Sequence, residues 1–271
     1  VKPKDASEAI ERKHSRFTIA GIGNINRRNT MTIGLTLTEF EHKHHFYVNW
    51  LKGNDSDIDV IVFSTEKNNV EELAKCDGLV LSGGVDSNPK YYNGKEEYPN
   101  KPEEGWNDAR DDFERSLYQS ALDKSIPVLA VCRGLQLVNI FHGGDLVQDL
   151  GEGNERHKAV KELDKEHSVS VFQNSLLYEI VKEEEGKVNS AHHQAINKIA
   201  DDLMVNCKAT DGTIEGAEWK NKNGKPFLLC VQWHPERMHR LQLQDTPLSK
   251  NIRNRFIEEI KKSIADKNES N

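Results

Sequence analysis

The sequence predicts an α/β domain built on a mostly parallel sheet with helices on both faces. Four short apolar runs carry the first part of that expectation: TIGLTL, DVIVF, GLVLS and PVLAV. They lack the strict in–out alternation of a strand with one wet face, and so read as strands covered on both sides. Helical stripes carry the second part. Ala109, Phe113, Leu117 and Ala121 recur every four residues and predict a helix over 107–124. Ile252, Phe256, Ile260 and Ile264 predict another near the C-terminus. Strands that alternate with helices form parallel sheets.

Taken in order, residues 1–29 are mostly polar and read as an extension before a domain spanning 30–266. Their GIGNIN has a glycine pair but lacks the third glycine of a dinucleotide loop. TIGLTL opens the sheet from Met31, and DVIVF (Asp59–Phe63) follows. NNVEELAKC is a short helix that starts with a capping asparagine. GLVLS is the third strand; Pro127 ends the 107–124 helix and begins PVLAV. The second half is richer in extended signals: SVSVF, MVNCKAT, TIEGAEW and FLLCVQW, with KNKNG as the turn between the last two. Residues 267–271 read as a frayed tail.

Composition narrows the function. The chain has 271 residues, 36% hydrophobic and 30% charged, with a formal net charge of −7. No basic stripe is available to neutralise phosphates, so nucleic acid and anionic membrane are not expected as partners. No apolar stretch approaches the roughly 20 residues of a membrane span. The four cysteines, Cys76, Cys132, Cys207 and Cys230, form no CxxC pair and read as free thiols of the cytoplasm. The first residue is Val1, which leaves a trimmed export segment open.

One junction raises a chemical question. In VLAVCRG an unbroken apolar strand ends at Cys132, and a helix begins near Gly134. On such a strand–turn–helix device a nucleophile stands on strained backbone above the sheet. Helix N-terminal N–H groups favour a thiolate and can bind a developing oxyanion. A lone cysteine is more often a buried structural residue. A base shifts the balance: FLLCVQWHPER places His234 just past a buried strand, with Glu236 two residues on to orient it. A third piece, LVLSGGVDSNP, sets Gly83 and Gly84 directly after a strand, where a backbone N–H can meet an oxyanion.

In this order, and with these flanks, the pieces resemble the class I glutamine amidotransferase superfamily. In detail they look like its γ-glutamyl hydrolase branch, the γ-glutamyl-γ-aminobutyrate hydrolase-like proteins. The resemblance spans about Met31 to Lys262. It rests on LVLSGGVDSNPKYY, on the run from RDDFERSL through IPVLAVCRGLQLV, and on VNSAHHQAI, TDGTIEGAE and CVQWHPE. It implies a flavodoxin-like doubly wound sheet with additional strands. It implies Cys132 as nucleophile, His234 as base and acid, and Glu236 as orienter. The oxyanion donors would be the N–H groups of Arg133 and of Gly83 or Gly84. Gln136, His192, His193 and Gln194 would seat the glutamyl group. Arg133 itself points to the hydrolase branch, because ammonia-feeding domains usually carry an apolar or aromatic residue after the cysteine. Its side chain reads either as a solvated charge or as part of the site. The link HFYVNWLKGNDSDIDVIVF is compact for the family and bears on the rim of the site.

No cofactor is expected and no metal. The His192–His193 pair has no third ligand nearby in sequence, a packed loop being the alternative to its substrate role, and EHKHH (Glu41–His45) reads as a solvated helix face. The expected activity is hydrolysis of γ-glutamyl amides through a γ-glutamyl thioester, with a small-molecule γ-glutamyl substrate as partner and a homodimer left open. Two rivals stand beside it: a glutaminase that delivers ammonia to a synthase, and a silent binding module of the same fold.

Overall fold

The computed structural model describes residues 30–38 and 41–269. The extension over 1–29, with its GIGNIN, and the last two residues lie outside the described ones. Among the described residues, eleven strands form one sheet: β1 (Met31–Thr36), β2 (Ile58–Phe63), β3 (Gly78–Leu81), β4 (Val128–Val131), β5 (Leu146–Val147), β6 (Lys165–Val171), β7 (Glu185–Ser190), β8 (Ala195–Ile196), β9 (Leu203–Ala209), β10 (Ile214–Trp219) and β11 (Leu228–Val231). Their order is β2-β1-β3-β4-β11-β10-β9-β6-β7, with β8 joining β10 to β5. The first five in that order are parallel neighbours, which is the doubly wound flavodoxin arrangement. The additional strands are antiparallel.

The helices are α1 (Glu41–Lys52), α2 (Asp108–Asp123), α3 (Arg133–Phe141), α4 (Asn154–His157), α5 (Leu176–Val181) and α6 (Ile252–Glu269). Strands β3, β4 and β11 are buried at every position, as their unbroken apolar runs require. The pleat divides their side chains between two cores. Leu129 and Val131 of β4 pack with Tyr47 and Leu51 of α1 and Phe256 of α6. Val128 and Ala130 pack with Leu117 of α2 and Leu135 of α3 on the opposite face. Among the described residues no helix is long and apolar enough to cross a membrane.

Three expectations are corrected. Ala109 is exposed, and its neighbour Arg110 is buried in its place because the guanidinium enters an ion network below the sheet end. The segment after Asn69 is a 3-10 helix, Val70–Lys75; the Asn69 side chain ties back to Ser64 and Val62 rather than capping it. Helix α6 continues past Asp266 to Glu269, so the described part of the tail is helical.

Candidate active site

Strand β4 lies between β3 and β11, and all three run parallel. The residues that follow them therefore emerge side by side at the carboxyl edge of the sheet, where doubly wound folds place their chemistry. Gly83 and Gly84 follow β3, Cys132 follows β4, and His234 follows β11 after Gln232 and Trp233. Motifs far apart in sequence thus meet without any long reach.

Cys132 has φ 53° and ψ −106°, a conformation rarely held by a side-chain-bearing residue. It is pinned by its N–H, which donates to Val231 O at 2.8 Å, and by α3, which starts at the next residue. Gly134 makes that start possible: a Cβ there would stand 2.4 Å from Leu81 O. Cys132 is only 6% exposed, and it borders a cavity of about 120 Å³ shared with Tyr47, Gly83, Gly84, His234 and Glu236.

His234 Nδ1 donates to Glu236 Oε1 at 2.8 Å, which leaves Nε2 for the thiol side. The backbone N–H of His234 donates to Asn189 Oδ1 at 3.0 Å and fixes the loop. Burial disfavours the charged ring, and so does the Arg237 guanidinium. The Glu236 carboxylate and the Cys132 sulfur outweigh both, and the His234 pKa rises to about 9. An imidazolium beside the sulfur is the state this arrangement favours.

The glycine loop is held from two sides. Gly83 N–H donates to the Tyr47 hydroxyl at 2.9 Å, and Gly83 O accepts from Arg110 Nη2 at 3.0 Å. Burial keeps the Tyr47 phenol well above its ordinary pKa, so it stays neutral. A Cβ at Gly83 would meet His234 Cε1 at 2.8 Å.

Arg133 is 2% exposed, which excludes a solvated charge. Its guanidinium turns away from the cavity and donates to Asp111 Oδ1 at 2.5 Å and Glu114 Oε2 at 2.6 Å. Arg110 binds the other oxygen of Glu114 at 2.7 Å. Two cations and two carboxylates thus neutralise one another beneath Cys132 and Gly83.

The four residues expected to seat the glutamyl group do not line the cavity over Cys132. Gln136 donates to Gln194 O and Gln232 Oε1. Gln194 donates to Gln148 O. His193 sits between Asp86 and Asp149, 3.0 and 3.2 Å away. His192 turns toward His157, His167 and Glu215, so metal-type ligands that are remote in sequence stand beside it. EHKHH opens α1 with His42 and His45 exposed.

The cavity wall instead includes Lys43, Glu162, Asp164 and Arg237, which sequence reasoning missed. A signal existed for two of these wall residues. Lys43 and Tyr47 stand four apart on one helix face, and Arg237 directly follows the quoted His-Pro-Glu.

Comparison with known proteins agrees with this architecture. Residues 40–236 match the family described as Peptidase C26. Protein NtpR of Enterococcus hirae is 35% identical over 199 residues, covering 71% of this chain and 80% of that protein. The γ-glutamyl-γ-aminobutyrate hydrolase PuuD of Escherichia coli K12 is 33% identical over 173 residues, covering 60% of this chain and 65% of that protein. The glutaminase domain of Trypanosoma brucei CTPS, solved with bound acivicin, superposes with a TM-score of 0.56 at 14% identity, covering 86% of this chain and 94% of that one. The fold is that of the class I glutamine amidotransferases, and with nearly three quarters of its length inside the match the chain belongs to the Peptidase C26 family.

Proposed function

We propose that this protein hydrolyses γ-glutamyl amides, with Cys132 as nucleophile. The observation that carries the reading is the convergence on one cavity of a strained Cys132 and a His234 held by Glu236 at 2.8 Å. The Cys132 thiolate attacks the γ-carbonyl carbon, and the oxyanion is met by N–H groups at the start of α3 and in the glycine loop. Since Gly83 N–H is already given to Tyr47, Gly84 is the glycine assigned as donor, with Arg133 as the second. His234 gives its proton to the departing amine, and the C–N bond breaks to leave a γ-glutamyl thioester. Water, deprotonated by His234, attacks the thioester, and glutamate leaves as the thiol is restored.

The cavity wall suits the zwitterionic end of such a substrate. Lys43 and Arg237 oppose an α-carboxylate, while Asp164 and Glu162 oppose an α-ammonium. Asp164 Oδ1 is buried with no hydrogen-bond partner, an acceptor suited to that ammonium.

The test is turnover of γ-glutamyl-p-nitroanilide, γ-glutamyl-γ-aminobutyrate and glutamine by the purified protein and by Cys132→Ala. The amides with bulky amines should be cleaved faster than glutamine. The alanine variant should lose at least about 10³-fold. Equal use of glutamine, or turnover only after addition of a partner protein, would favour a glutaminase; inactivity on all three would favour a binding module.

A further inference from the structure

His157 ends α4, His167 lies on β6, His192 follows β7, and Glu215 lies on β10. One ligand atom from each falls within 4.8 Å of all the others. We propose that these four side chains form a closed structural site for a divalent transition-metal ion, zinc foremost.

The three spacings from Glu215 match the edges of a tetrahedral set, and the histidine nitrogens, within 4.8 Å of one another, would draw in around an ion. Glu215 Oε1 stands 3.4 Å from His157 Nδ1, 3.5 Å from His167 Nε2 and 3.4 Å from His192 Nε2. Ligand atoms at about 2.0–2.1 Å from a tetrahedral zinc stand roughly 3.3–3.4 Å from one another. Each imidazole is also held from behind. His157 Nε2 faces an Asp211 carboxylate oxygen at 2.9 Å, His192 Nδ1 faces Gln194 O at 2.9 Å, and His167 Nδ1 faces Ser168 O at 3.3 Å. All three partners only accept, so each outer nitrogen carries the proton and each inner nitrogen presents a lone pair. This is how proteins orient metal-binding histidines.

Of the inner atoms only His157 Nδ1 has another neighbour, the Ser190 hydroxyl at 3.4 Å. His157 and Glu215 are fully buried, and His192 is 4% exposed. Neither Glu215 oxygen, nor His167 Nε2, nor His192 Nε2 has a hydrogen-bond partner. Three lone pairs and a carboxylate facing one another out of water repel unless protons or a metal cation stand between them, and the occupant assigned here is the cation. Imidazole with carboxylate suits zinc better than magnesium or calcium, which prefer all-oxygen shells. Four protein ligands leave no open position, so the ion's role is to hold structure. It would pin β6, β10 and the loop after β7, whose Ala191 lines the cavity over Cys132.

The experiment is metal analysis of the full-length protein by inductively coupled plasma mass spectrometry, before and after dialysis against dipicolinate and then against zinc. About one zinc per chain is expected after reloading. The melting temperature should fall by at least several degrees on stripping and recover with zinc. Cobalt(II) in place of zinc should give the intense visible bands of a tetrahedral site. Glu215→Gln and His167→Ala should each lose the ion, while His193→Ala, one residue from the cluster, should keep it. The wild-type arms decide the matter even if a variant fails to fold. Less than a tenth of an equivalent after reloading, with an unchanged melting temperature, would overturn the site and leave the cluster as protonated imidazoles around Glu215. So would an ion retained at full stoichiometry by both ligand variants.

Discussion

The guanidinium of Arg133 donates to the Glu114 carboxylate across 2.6 Å, with the two side chains 2% and 1% exposed. The residue after the nucleophile thus serves the site from below. Its backbone opens α3, and its side chain locks α3 to α2. Because Glu114 also holds Arg110, and Arg110 holds Gly83 O, one buried network fixes both the nucleophile turn and the glycine loop.

Removing one member of such a network strands the rest. Arg133→Met should leave Asp111 without its cation and Glu114 with Arg110 alone, and cost about 3–5 kcal/mol of stability. The melting temperature should fall by about 10 °C. Because the side chain does not face the cavity, kcat should drop while KM changes little, and Arg133→Lys should restore part of the loss. Thermal melts with steady-state kinetics check this. A neutral Arg133→Met would mean that the network does not hold the turn.

Much of this fold could be read from the chain, for a physical reason. Strands buried on both faces need unbroken apolar runs, so β3, β4 and β11 stand out, and nucleophile and base sit one and three residues beyond two of them. What could not be read depends on contacts between distant segments. Strand β7 (EGKVNS) is polar at most positions and is a strand because β6 pairs with it. Arg133 looks like a surface charge until α2 brings Asp111 and Glu114 against it. His192 lacks a third ligand in sequence because the other three come from α4, β6 and β10, joined only by the fold.

Gly83→Ala tests the packing of the base against the glycine loop. The new methyl would lie 2.8 Å from His234 Cε1 and 3.3 Å from the Tyr47 hydroxyl, so the ring must shift. Displacements of this kind cost up to about 10²-fold in rate. The expected result is a kcat loss of roughly that size with a cooperative thermal melt retained. Full activity would show that the loop gives way instead.

The pH profile follows from His234. Its ring must carry a proton to release the amine, and with a pKa of about 9 it does so throughout the neutral range. The kcat/KM should therefore fall on the alkaline side near pH 9. Glu236 supports the charged ring, so Glu236→Gln lowers this pKa. The alkaline limb should then move toward neutral pH by about 1–3 units. An alkaline limb that stays in place would assign it to another group.

The cysteines give the most direct check on the nucleophile, because the fold treats the four very differently. Cys230 is fully buried in β11 and Cys207 in β9, and burial raises both thiols well above their ordinary pKa. Cys76 is pushed up to about 12, chiefly by burial and then by Asp77. A thiol so raised is almost wholly protonated at neutral pH and reacts slowly with electrophiles. Cys132 is also buried, but it borders the cavity, opens a helix and lies beside the His234 ring. Brief iodoacetamide treatment at pH 7 should therefore modify Cys132 first and abolish turnover in step with its labelling. His234→Ala should slow that labelling by about tenfold or more, because the base beside the sulfur is gone. Peptide mapping by mass spectrometry reads both effects. First labelling at Cys76, or inactivation that does not track Cys132, would remove the basis for Cys132 as the nucleophile.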